Sequence, residues 1–66
     1  MNVIINGEKT EIAPETTVED HLKHLDLNLD TVVVEADGLI LKQEEYATLM
    51  LKDGMVLELI RFIGGG

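Results

Sequence analysis

The hydrophobic and polar positions of this chain form short runs that predict a sheet built from both ends of the sequence. Residues 3–5 are apolar and β-branched, which is typical of a buried strand. Asn6 and Gly7 follow, and because both tolerate a positive φ they predict a tight turn into an edge strand at residues 9–12. Three more strands are expected further on, at residues 31–36, 39–41 and 55–63.

One segment, residues 17–25, has the period of an amphipathic helix instead. Val18, Leu22 and Leu25 recur at i, i+4 and i+7, so we expect one apolar stripe that packs on a single face of the sheet. Two threonines can cap this helix, each with an acidic residue three positions later, in the frames Thr16–Glu19 and Thr17–Asp20.

The predicted order of elements is β-β-α-β-β-β, which makes an α+β roll with a mixed sheet. Sequential pairing and a right-handed crossover place the first and last strands side by side and parallel at the centre of the sheet. We expect Leu27 and Leu29 to anchor the loop after the helix, and residues 43–46 to form a single helical turn.

Composition restricts the function further. The chain has 66 residues, enough for one domain, and contains neither cysteine nor serine, which excludes disulfides, thiolate metal sites and both of those nucleophiles. No apolar run reaches the ~20 residues of a membrane helix, and no basic segment before an apolar one marks a signal peptide. We therefore expect a cytoplasmic protein without membrane association. The net charge of −8 disfavours nucleic acid, and it fits either a basic partner surface or solubility alone.

The chain ends in three glycines, and we divide it into a folded domain, residues 1–63, and a flexible tail, residues 64–66. A thread without Cβ atoms adds nothing to a core, but it can enter a narrow channel. The carboxylate of Gly66 is ionised at neutral pH and is a poor electrophile. Joining it to AMP would open the acyl carbon to a nucleophile such as a sulfur donor. The alternative is a disordered end or an expression scar.

The last strand has two kinds of position. Leu57 and Leu59 are expected to face the helix, which leaves Ile60 and Phe62 on the opposite face. This apolar pair lies just before the tail and can serve as a docking patch. It can also reflect the ordinary partial cover of a central strand, or a β-bulge that changes the register.

Two histidines, His21 and His24, lie three positions apart on the helix, a spacing that can place both near one metal ion. No third ligand of the usual kind is evident, since Asp20 is a weak substitute. We therefore expect no metal site, and we place His21 at the flank of the apolar stripe.

The whole chain resembles the ThiS family, the sulfur-carrier proteins of thiamin biosynthesis, which are β-grasp relatives of ubiquitin. The most specific element is the last strand with its terminal glycines, residues 58–66. Weaker pieces are spread along the chain, at residues 3–7, 17–22, 32–34, 42–46 and 51–54. Met55 departs from the family, which often has an acidic residue after the Asp-Gly turn, and we expect this position to be structural.

This resemblance implies a β-grasp (ubiquitin-like) fold and a carrier that is not itself an enzyme. An E1-like (ThiF-like) adenylating enzyme would use ATP and Mg²⁺ to form an acyl-adenylate on Gly66, and the chain would hold no cofactor of its own. A persulfide from a cysteine desulfurase or another donor would convert the adenylate to a thiocarboxylate. A ThiG-like thiazole synthase would then receive the sulfur. The residues expected to contact these partners are Gly64, Gly65, Ile60, Phe62 and Ile63.

Two further hypotheses stay open at the level of sequence. The same tail chemistry would serve a carrier for molybdopterin or another thiolated product, and only the identity of the partner separates the two. The other hypothesis belongs to a different class, a β-grasp protein-binding module with an inert tail. In each case we expect a monomer when the protein is free.

Overall fold

The computed structural model describes residues 1–62, so the predictions on Ile63 and on the glycine tail concern positions outside the described residues. Within this range the elements follow the predicted β-β-α-β-β-β order, and a 3-10 helix lies within the predicted helical turn. The elements are β1 (Asn2–Ile5), β2 (Glu8–Glu11), α1 (Val18–His24), β3 (Val32–Ala36), β4 (Leu39–Ile40), the 3-10 helix (Gln43–Glu45) and β5 (Val56–Arg61).

The strands form one mixed sheet in the order β2-β1-β5-β3-β4. The first and last strands are neighbours and run parallel, with Ile4 opposite Val56, as the sequence predicted. The other three pairs are antiparallel. The last strand is therefore the middle one, and β2, predicted as an edge strand, lies at the edge.

The predicted turn between β1 and β2 is confirmed. Asn6 and Gly7 have φ values of 51° and 83°, which a β-branched residue would adopt only with strain. Asn6 has a second role, because its side-chain Oδ1 accepts a hydrogen bond from the amide of Leu59 at 2.8 Å. The turn that joins the first two strands thus also holds the last one.

Of the two possible caps on α1, the structure uses Thr17 with Asp20. The Thr17 hydroxyl accepts a hydrogen bond from the Asp20 amide at 3.0 Å, and the Asp20 carboxylate accepts one from the Thr17 amide at 3.2 Å. The hydroxyl of Thr16 instead donates to the carbonyl of Ala13. Thr17 also has the extended backbone that a residue preceding the first helical turn requires.

The predicted apolar stripe of α1 is wrong at its third position. Val18 and Leu22 are buried, but Leu25 is 44% exposed. His21, which we placed at the flank of the stripe, is the buried one at 7% exposure. The reason lies at the end of the helix, because α1 ends at His24 and Leu25 is its C-cap with a ψ of 3°, so Leu25 no longer continues the helical stripe. Asp26 then reverses the chain with a φ of 58°.

The chain after this reversal returns to the core, as predicted for the loop. The amide of Leu27 donates to the carbonyl of Leu22 at 2.9 Å. Leu27 and Leu29 both pack against the buried cluster and stay partly exposed. Leu27 thus supplies the apolar contact that the periodic pattern had assigned to Leu25.

The core lies between α1 and one side of the sheet, here called the inner face; the other side is the outer face. The phenol of Tyr46 donates a buried hydrogen bond to the carbonyl of Val32 at 2.9 Å and ties the segment after the 3-10 helix to β3. Met55 is buried as well, in keeping with a structural role for this position. The buried cluster comprises Val3, Ile5, Ile12, Val18, Leu22, Val32, Val34, Ala36, Tyr46, Leu51, Met55 and Leu57.

Candidate functional site

Strand β5 leads toward the glycine tail, and its two faces differ as the alternation predicted. Leu57 is buried and Leu59 packs against the core, whereas Ile60 is 48% exposed and Phe62 63% exposed on the outer face. The register with β3 runs without interruption through Ile60 opposite Val33, so the described part of β5 has no bulge toward β3. The exposure of the apolar pair is therefore confirmed, and its contact with a partner stays a prediction.

Apolar side chains extend from this pair across the outer face. In the parallel pairing of β1 with β5, Ile4 lies opposite Val56, and in the antiparallel pairing of β3 with β5, Val33 lies opposite Ile60. Ile4 and Val56 are more than one-third exposed. An open sheet face in contact with water normally carries polar residues, so this surface has the character of a docking surface.

A pair of carboxylates lies on the same face between the apolar positions. Glu35 on β3 lies directly opposite Glu58 on β5. Within residues 1–62 only Lys23 and Glu19 form an ion pair, at 3.3 Å, so neither of these carboxylates has a basic partner there. Like charges placed directly opposite each other in a sheet are destabilising.

Hydrogen bonds hold β5 on both sides, and they continue to Phe62, the last residue that the structure describes. On one side Asn6 accepts from Leu59, and on the other the amide of Phe62 donates to the carbonyl of Thr31 at 2.9 Å. The point from which the tail continues is thus positioned by β1 and β3 together. Gly66, Gly65, Gly64 and Ile63, the remaining predicted site residues, lie beyond it.

The two histidines of α1 lie together, with ring centroids 6.3 Å apart and planes inclined by 25°. Burial, and secondly the nearby His24, lower the pKa of His21 below its ordinary value of 6.5. No cluster of three or more metal-ligating side chains occurs among residues 1–62. The two rings therefore have no further ligand in the described part of the chain with which to hold a metal.

Sequence reasoning missed a groove on the inner face. Two adjoining cavities of about 420 and 520 Å³ lie there, and both are lined by Thr10, His21 and Leu25. The signal that could have revealed the groove is the shortness of α1, since seven residues span only about 10 Å. Such a helix cannot cover an inner face five strands wide.

None of the helices in residues 1–62 is long and apolar enough to cross a membrane. Crossing would need about 20 residues of helix, and the described α-helix has seven.

The chain is similar to known proteins over its whole length. The crystal structure of the thiamine biosynthesis protein (ThiS) from Geobacter metallireducens superposes on it with a TM-score of 0.84 at 32% identity, and each chain covers 100% of the other. The sulfur carrier protein ThiS of Bacillus subtilis is 33% identical over 63 residues, which are 94% of this chain and 96% of that protein.

A third relative is much longer. The thiazole synthase of Paramagnetospirillum magneticum is 38% identical over 66 residues, which are 100% of this chain but only 20% of that protein. The chain thus spans about a fifth of the length of this relative.

The family comparison covers nearly all of the chain, from β1 to the last glycine. The sequence model of the ThiS family matches residues 3–66, and the structural match to a ThiS protein gives the same β-grasp fold. The chain belongs to the ThiS family of small sulfur-carrier proteins.

Proposed function

We propose that this protein carries sulfur for the thiazole part of thiamin as a protein-bound co-substrate, with the cargo on the carboxylate of Gly66. The proposal is supported by membership of the ThiS family and by similarity to the sulfur carrier protein ThiS of Bacillus subtilis. The single structural observation that supports it best is the outer face. Its exposed apolar residues are Ile60, on the central strand, and Phe62, just after the strand and separated from the tail by one residue.

The chemistry of the tail needs two steps. In the first, an oxygen of the Gly66 carboxylate attacks the α-phosphate of ATP, and pyrophosphate leaves. In the second, a sulfur nucleophile attacks the acyl carbon, and AMP leaves with the electron pair of the acyl–oxygen bond. The chain supplies the acyl group; ATP and Mg²⁺ belong to the adenylating enzyme.

The outer face has the properties that a docking surface for such an enzyme needs. Apolar residues at the centre of an interface contribute most of the binding free energy. Here Ile60 and Phe62 are already exposed, and hydrogen bonds fix the strand that carries them. Binding therefore orders few side chains, and the partner gains a rigid surface from which Ile63, Gly64 and Gly65 lead into its active site.

A thiazole synthase is the proposed recipient of the sulfur. The support is that the relative of that name contains a segment similar to the whole of this chain, within a protein about five times as long. A carrier-like segment within the same polypeptide as a synthase favours direct transfer between the two.

Intact mass spectrometry tests the proposal. The untagged protein is incubated with a ThiF-like adenylating enzyme, ATP, Mg²⁺ and a sulfur donor, and replacement of one oxygen by sulfur is expected to raise its mass by about 16 Da. The variant without Gly65 and Gly66 should show no increase, because its chain is too short to present a carboxylate at the same position. Gly66→Ala should load slowly or not at all, because its methyl group hinders entry into a narrow channel.

Two results would count against the proposal. A wild-type protein that gains no sulfur from an enzyme active on another carrier would favour the binding module with an inert tail. A loaded protein that supports molybdopterin synthesis but not thiazole synthesis would assign the chain to the other pathway.

A further inference from the structure

The groove on the inner face has no part in the proposed function. Its two cavities meet at Thr10, His21 and Leu25 and lie between β2 and α1. Thr10 is paired with the fully buried Val3, which shows that it points to the same side of the sheet as the core. The groove is thus the part of the inner face that the short helix leaves open.

His21 directs an unused polar group into this groove. The residue is 93% buried, since its exposure is 7%, and no hydrogen bond within residues 1–62 engages its imidazole. No fully enclosed side-chain nitrogen in the described chain lacks a hydrogen-bond partner, so the ring nitrogens of His21 keep some contact with solvent, and His21 lines both cavities. Its lowered pKa keeps the ring neutral at pH 7, with one donor and one acceptor to offer.

The rim of the groove combines one apolar side chain with an excess of negative charge. Leu25 is 44% exposed there. Four charged residues line it, Glu8, Glu11, Asp20 and Arg61. Glu11 follows Thr10 on β2 and is paired with the exposed Asn2, so its side chain points to the outer face. This leaves Glu8 and Asp20 against Arg61. Such a rim is complementary to a protein surface that presents an apolar side chain flanked by lysine or arginine.

The groove extends to the C-terminal end of β5. Arg61, the last residue of β5, lines one end of it. Ile60 and Phe62, its neighbours in sequence, are exposed on the outer face. The groove and the outer face therefore lie on opposite sides of the sheet at the end of β5, so two proteins can bind there at once.

We infer that the groove docks the protein that delivers sulfur as a cysteine persulfide while the adenylating enzyme holds the outer face. The inference rests on the proposed function, because it concerns the second of the two steps. That step needs such an arrangement, since the acyl-adenylate hydrolyses readily once it leaves the enzyme and the donor must come to the complex.

The sulfur step balances with a thiol as co-reactant. The terminal sulfur of the persulfide attacks the acyl carbon of Gly66, AMP leaves, and an acyl disulfide joins the two proteins. A thiol then attacks the donor's cysteine sulfur, forms a new disulfide with it and releases the thiocarboxylate. The groove would hold the donor close to the tail throughout both exchanges.

The test compares two sulfur sources with the full-length variant Leu25→Gln. Its matched control is Leu39→Gln, which changes a 71% exposed leucine on β4, at the opposite edge of the sheet. Adenylation is followed as ATP–pyrophosphate exchange. Thiocarboxylate formation is followed by mass, with either sodium sulfide or a cysteine desulfurase charged with its persulfide. Glu8→Gln is a second variant, and its matched control is Glu11→Gln, which removes a carboxylate from the outer face of the same edge strand.

We expect Leu25→Gln to exchange pyrophosphate and to load from sulfide like the wild type, but to lose at least fivefold in kcat/KM for the persulfide protein. Glu8→Gln should lose less and show a weaker salt dependence, and the two controls, Leu39→Gln and Glu11→Gln, should change nothing. Equal loading of all proteins from the persulfide would overturn the inference, as would equal losses from both sulfur sources. A wild type without pyrophosphate exchange would refute the proposed function itself.

Discussion

The two faces of the central strand differ in what covers them, although one strand supplies both. Leu57 on the inner face is 1% exposed, and Ile60, three residues later on the outer face, is 48% exposed. Both side chains are large and aliphatic, so hydrophobicity alone does not decide which is buried. The single helix covers one face, and the other stays open. An apolar residue on the open face is therefore available for binding, whereas the same kind of residue on the inner face stabilises the fold.

The largest expected effect is a loss of stability from a substitution on the inner face. Leu57→Ala should lower the free energy of unfolding by about 2–5 kcal/mol, because it leaves a cavity in a small core. Ile60→Ala should lower it by less than about 1 kcal/mol, because the side chain is half exposed already. Urea unfolding followed by circular dichroism measures both, and equal losses in the two variants would contradict the difference between the faces.

The second effect concerns binding by the outer face. Ile60→Ala/Phe62→Ala should weaken the complex with the adenylating enzyme about tenfold, which corresponds to about 1.4 kcal/mol, with little change in unfolding. Isothermal titration calorimetry gives the dissociation constant, and the control is Leu39→Ala, which shortens an exposed leucine on the distant β4. If the double variant formed a complex as tight as that of the wild type, the outer face would not be part of the interface.

The third effect concerns the two carboxylates that lie opposite each other on the outer face. Glu35→Gln should raise the free energy of unfolding by about 0.2–1 kcal/mol, because it removes the repulsion from Glu58 directly opposite. The gain should shrink in high salt, which screens exposed charges. Glu44→Gln, in the 3-10 helix, is the control without a carboxylate opposite it. A similar gain in both variants would indicate a general effect of net charge.

The smallest expected effect is a pH dependence of the stability, which arises from His21 on the inner face. The pKa of His21 is lowered by burial and by His24, so the unfolded chain binds the proton more tightly than the folded one. The stability that this difference provides is complete above pH 6.5 and is lost as the pH falls from 6.5 toward the lowered pKa. The other charged groups lining the groove around His21 are Glu8, Glu11, Asp20 and Arg61.

Unfolding by urea at several pH values between 7.5 and 5.5 measures this loss. The His21→Gln variant should lose less stability than the wild type over that interval, whatever its stability at pH 7.5. His24→Gln should lie between them, since it removes the second cause of the lowered pKa. Parallel curves for all three proteins would show that His21 does not couple protonation to folding.

Local patterns were sufficient to predict the order of elements. The hairpin followed from Asn6 and Gly7, whose positive φ values the structure contains, and the alternation in β5 separated Leu57 from Ile60 correctly. These features depend on backbone preferences and on a period of two, both of which are properties of neighbouring residues.

The pattern failed where the helix ended. A periodic stripe assigned Leu25 to the core, but the helix ends before Leu25, which stays exposed, and the reversal at Asp26 returns Leu27 to the core instead. The groove beside His21 was missed for the same reason, because its existence depends on how far a short helix extends over a wide sheet. The predicted contacts of Ile63, Gly64, Gly65 and Gly66 remain predictions that the loading experiment tests.

By itself the sequence determined the strands, the capped helix, the apolar pair before the tail and the chemistry available at a terminal glycine. All of these depend on residue type and spacing over a few positions. Only the tertiary structure decided that His21 is buried, that Glu35 opposes Glu58 and that an open apolar face and a groove lie on opposite sides of the sheet. Those facts join residues distant in the chain, and packing and strand register, which act between elements, determine them.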